Sequence, residues 1–127
     1  MSTRESCGFE AELWEKGKLE AICAIVRVGK KEDFISYGDL ARAISNIRIE
    51  PHGPQMNQLL DQISKEEDAA GRGILTALVV LQGTRVPADG FWASAADIGR
   101  DVRDKWAFWS NEVKRVMDDC KKHPLCP

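Results

Sequence analysis

The chain has no apolar run long enough to cross a bilayer. Its longest, Ile74 to Leu81, has the length of a strand, which excludes a transmembrane helix from the sequence. It is short of net charge as well, with 18 basic against 20 acidic residues for a formal −2. No broad cationic footprint is present, so charge-driven, sequence-indifferent nucleic-acid binding is disfavoured. Tyrosine occurs once and histidine twice, which leaves few general acids or bases. Behind Arg4 there is no apolar stretch, so Met1 to Cys7 do not read as a signal peptide. Repeats, low-complexity tracts and Pro/Gly/Ser-rich linkers are missing too.

Cysteine is sparse: Cys7, Cys23, Cys120 and Cys126. Two lie near the ends and Cys23 falls on an apolar helical stripe. A chain of this size builds a core without staples, so free thiols in a reducing, cytoplasmic compartment are expected.

What remains is an ordinary globular composition, 43% hydrophobic and 30% charged over 127 residues. That suits one domain, 1–127. Glu10 to Glu15 carries a short helical signal anchored by Leu13 and Trp14, which Gly17 interrupts. Leu19, Ile22, Cys23 and Val26 then repeat at helical spacing up to Gly29, Lys30 and Lys31. Ser36 is placed to cap a helix over 36–46, with Asp39 three residues on. A Pro51-His52-Gly53-Pro54 turn precedes a helix over 55–68. Ile74 to Leu81 reads as a strand covered on both faces. Gln82 to Gly90 reads as a wing, with Phe91 and Trp92 returning as a short strand and Ser94 capping a helical turn. A closing helix over 101–121 carries Trp106, Trp109, Val113, Val116, Met117 and Cys120 on one stripe, leaving Phe108 off it. The expected fold class is α+β: a mostly helical, winged helix-turn-helix-like domain with a small sheet and a core over 19–92. A helical bundle with a minor strand pair is the alternative.

Ile35-Ser36-Tyr37-Gly38-Asp39-Leu40-Ala41 resembles the start of the winged-helix domain of the O6-alkylguanine-DNA alkyltransferases and their alkyltransferase-like relatives. The resemblance covers residues 34 to 91. It implies a DNA-associated winged helix in which Tyr37 contacts the backbone near a flipped nucleotide. The family's Pro-Cys-His-Arg signature is absent, for the corresponding stretch reads Thr76-Ala77-Leu78-Val79-Val80. Alkyl acceptance at that position is therefore excluded, because no side chain there is a nucleophile.

The candidate nucleic-acid-binding residues are Tyr37, Arg42, Arg48, Arg72 and Arg85. Against them stands a second helix rich in acid, with Asp61, Glu66, Glu67 and Asp68, whose last three read as a solvated face. Phe91 and Trp92 form the candidate protein-interaction patch, to be weighed against simple core packing. His52 beside Glu50 sits in a turn without an orienting partner, so it is expected to be solvated. Cys120-x2-His123-x2-Cys126, with Cys7 as a fourth, has metal-like spacing but lacks a Cys-x2-Cys knuckle, and no metal is expected. Gly71-x-Gly73 is too short to cradle phosphate. Asp97, Asp101 and Asp104 interleave with Arg100, Arg103 and Lys105 as an ion-paired helix start. No cofactor is implied. The functional reading is a non-catalytic winged-helix-type domain binding DNA; the alternatives are a protein-protein interaction module, including a homo-oligomer, and a small enzyme with an unrecognised site.

Overall fold

In the computed structural model, residues 5–6 and 8–126 are described; Cys7, named above as a fourth metal ligand, lies outside them. The fold is α+β and mostly helical. Strand β1 (Glu5–Ser6) pairs antiparallel with β2 (Phe9–Glu10), and β3 (Ile35–Ser36) pairs parallel with β4 (Val79–Val80). The helices are α1 (Ala11–Lys30), α2 (Tyr37–Ala43), α3 (Pro54–Ala69), α4 (Asp89–Ile98) and α5 (Lys105–Cys120). No helix among the described residues is long and apolar enough to cross a membrane.

Helix α1 is the central element, packed against α2 and α5. Gly17 does not interrupt it. A Cβ there would come within 2.8 Å of Ile47 Cγ1, so the missing side chain lets the segment after α2 lie close. Trp14, Ile25, Leu40, Met56, Leu59, Ile63 and Leu78 are fully buried in one cluster. A second cluster of Ile74, Ala77, Phe91 and Ala95 packs with the half-buried Phe108 and Trp109.

Ser36 caps α2 as its position predicts, its Oγ accepting from the Asp39 amide at 3.1 Å. The helix nevertheless stops at Ala43 rather than running to 46. The Glu20 carboxylate of α1 accepts from the backbone amides of Ser45 and Asn46, at 3.0 and 2.8 Å, and from the Asn46 side chain. The amides of residues 45 and 46 thus go to Glu20 instead of to carbonyls of α2.

The strand expected over 74–81 is corrected. Leu75–Leu78 form a 3-10 turn, and only Val79–Val80 pair as strand. Helix α5 supplies the reason. Glu112 accepts from the Ile74 amide at 2.8 Å, and Trp109 Nε1 donates to the Ala77 carbonyl at 2.9 Å. Backbone groups that a neighbouring strand would have satisfied are taken by side chains instead. The wing is corrected too: Phe91, Trp92 and Ser94 all lie inside α4. Residues 82–88 form its approach, with Leu81 donating to the Val86 carbonyl at 2.8 Å.

The free-thiol expectation is also corrected. Cys23 and Cys126 are joined by a disulfide that ties α1 to the segment following α5. Cys120 is free and buried, and burial first, then Asp119 and Glu67, pushes its thiol up to about 11. Cys126, bonded to Cys23, is thereby withdrawn from the Cys120-x2-His123-x2-Cys126 set.

Candidate interaction surface

The five residues picked for nucleic acid are scattered by the fold. Tyr37 is buried, 5% exposed, and its hydroxyl accepts from the Ala88 amide at 3.1 Å. Burial raises its pKa, with that hydrogen bond working the other way. Its ring borders a cavity of about 10 Å³ beside Ser64, Thr76 and Ser94, room for roughly one water molecule. Arg42 is exposed and paired with Asp39. Arg85 lies 3.8 Å from Asp33. Arg72 is drawn to the interior, where its Nη2 meets Glu67 at 2.6 Å. Arg48 alone is exposed without a hydrogen-bond or ion-pair partner among the described residues.

Glu67 departs from the solvated acidic face expected of it. It is 2% exposed and accepts from both Arg72 and His123. Burial opposes its ionisation, yet these hydrogen bonds outweigh burial and hold its pKa below the ordinary carboxylate range. His123 is likewise buried, whereas His52 is exposed with its ring 5.4 Å from that of Tyr37. Glu67 falls on the same α3 face as Leu60 and Ile63, and that spacing was the one available signal for it.

The aromatic residues of α4 and α5 do converge. Ring contacts run from Phe34 to Trp109 at 5.8 Å, to Trp106 at 6.3 Å and to Trp92 at 5.8 Å. Trp106 is 58% exposed, so it is not part of the core stripe expected of it. Trp92 meets it at 89° and Trp109 at 73°, two edge-on braces that fix its ring. Lys105 Nζ stands 5.4 Å above the Trp92 ring, a cation–π contact that pins the rim. Phe91 is 5% exposed and stacks on Phe108 beneath the surface. Of the expected patch, Trp92 therefore reaches the surface and Phe91 supports it. Helical periodicity missed Trp106 because residue 106 lies in the first turn of α5, at the end of the stripe, where it is left exposed.

Among the described residues, no group of three or more His, Cys, Asp and Glu side chains is gathered as a metal site would require. No family model matches the chain, and neither does any curated protein or solved structure.

Proposed function

We propose that this is a non-catalytic protein-interaction domain whose aromatic strip on α4 and α5 takes an extended peptide segment of a partner. The observation carrying this reading is Trp106, more than half exposed yet braced on two sides by Trp92 and Trp109. Exposed tryptophans of this kind concentrate binding energy, because a rigid ring loses little entropy when covered. Successive ring spacings of 6.3 and 5.8 Å along Trp109, Trp106 and Trp92 come close to the ~6.6 Å spanned by two residues of an extended chain. Alternate apolar side chains of such a segment would then meet successive rings.

The nucleic-acid reading has less support. Tyr37 is spent on Ala88, and Arg42, Arg72 and Arg85 each face an acid. The partial alkyltransferase-like resemblance bears on shape and supplies no nucleophile. A cytoplasmic setting belongs to this proposal and carries a consequence: reducing conditions there favour an open Cys23–Cys126 bond.

Selection of peptides from a displayed random library on the wild-type domain, counter-screened on Trp106→Ala, tests the proposal. Peptides that hold the wild type and lose the variant are expected. A library that yields none, or yields only peptides binding both equally, would overturn it.

A further inference from the structure

The segment after α5 turns back across α1 and α3 and is fastened at separate points. Cys126 is bonded to Cys23, 103 residues away. Lys30 Nζ donates to the Cys126 carbonyl at 2.7 Å. His123 inserts against Glu67 at 2.6 Å, and the Leu125 amide donates to His123 Nδ1 at 3.2 Å. His123 and Cys126 are buried, while Lys121, Lys122, Pro124 and Leu125 between and before them are exposed. This is a strap: every third residue anchors it and the rest face solvent.

The fastening is also within reach of solvent. Cys23 is half-buried and, with Cys126, Arg27, Lys30 and Leu125, lines an open groove of about 330 Å³. A thiolate entering that groove meets the Cys23 sulfur beside two cationic side chains, which favour the thiolate form of attacking and departing sulfur.

We propose that the Cys23–Cys126 disulfide is a reversible fastening, and that its reduction by a dithiol releases residues 121–126 from α1 and α3. One thiolate of the dithiol attacks Cys23 Sγ, forming a mixed disulfide and expelling the Cys126 thiolate. The second thiolate of the dithiol then attacks the mixed disulfide and expels the Cys23 thiolate. The dithiol ends as a disulfide, and the protein sulfurs end as two thiols after taking up two protons. Of the main core cluster only Cys126 belongs to the strap, and Cys120 beneath it packs on Gly29 of α1, so release withdraws one residue from that cluster and leaves the α1–α5 contact in place. What it uncovers is the Glu67–Arg72 pair and the adjoining face of α1.

The test uses the whole chain purified without reductant. Non-reducing peptide mapping should recover a Cys23–Cys126 linked peptide. Amide hydrogen exchange is then followed by mass spectrometry before and after equilibration with dithiothreitol. The peptide spanning 121–126 is expected to exchange at least about tenfold faster after reduction, with α1 and α3 unchanged. Cys126→Ser should exchange fast at that segment in both buffers. Absence of the linked peptide would overturn the proposal. So would equal exchange before and after reduction, and so would acceleration spread equally over α1 and α3, which marks a global staple rather than a strap.

Discussion

His123 donates its Nε2 hydrogen to the Glu67 carboxylate at 2.6 Å, a buried contact between residues 56 positions apart. The direction follows from the other ring nitrogen: Nδ1 accepts from the Leu125 amide at 3.2 Å, so a neutral ring carries its proton on Nε2. Arg72 supplies the countercharge, with Nε and Nη2 both on the same carboxylate. The residues after α5, the end of α3 and the turn after α3 thus meet on one buried anion.

Removing that anion should be costly. Glu67→Ala leaves Arg72 and His123 facing an empty site, and breaking a buried charged pair from one side costs about 3 kcal/mol or more. Urea unfolding of the variant should show a midpoint lowered to match. A midpoint unchanged from wild type would mean that the Glu67 contacts contribute nothing net.

Glu20 makes the fold acid-sensitive at a defined place. Burial opposes ionisation there, but hydrogen bonds from Ser45 and Asn46 outweigh it and hold the carboxyl to about 2, against about 4.3 in an unfolded chain. A depressed folded value means that the stabilisation is complete above the unfolded pKa and is lost as the pH falls toward 2. Glu67, also depressed, acts in the same direction. Stability measured from pH 7 down to 2 should therefore fall less steeply in Glu20→Gln than in wild type. Parallel curves would remove Glu20 from the account.

Gly29 sets the distance between α1 and α5. A Cβ at that position collides with Cys120 Sγ and would lie 2.9 Å from Leu78 Cδ1. Gly29→Ala gains helix propensity of about 1 kcal/mol but overpacks a filled contact, which costs about 1–3 kcal/mol. A net loss of thermal stability is expected. A rise in the melting temperature would show that the approach has slack.

The helices were legible in the sequence where an apolar stripe met a clear stop. The helix over 55–68 appears as Pro54–Ala69, and Ser36 caps α2. Legibility failed where a distant side chain satisfies the backbone. Glu20 ends α2 early, and Glu112 with Trp109 turns 74–78 away from a strand. An apolar run buried on every side carries no periodicity to separate strand from helix. Trp106 and Phe108 were exchanged between surface and core because a stripe gives a helix face without saying what covers it. The Cys23–Cys126 pairing and the burial of His123 both depend on where the chain returns after α5, which residue spacing does not encode.

Duplex DNA offers a separate check. With Tyr37 buried and three of the four candidate arginines paired with acids, the domain should show no binding at low ionic strength, where phosphate attraction is greatest. Binding that weakens steeply with salt and is reduced by Arg48→Ala would restore the nucleic-acid reading.

The aromatic strip is tested most directly by the affinity of one selected peptide for wild type and for Trp106→Ala, with the urea midpoint of each protein measured alongside. Trp106 is mostly exposed, so the variant should stay within about 0.5 kcal/mol of wild-type stability. Its affinity should nevertheless drop at least tenfold, or about 1.4 kcal/mol. Equal affinity for the two proteins at equal stability would contradict the claim that this ring is where a partner binds.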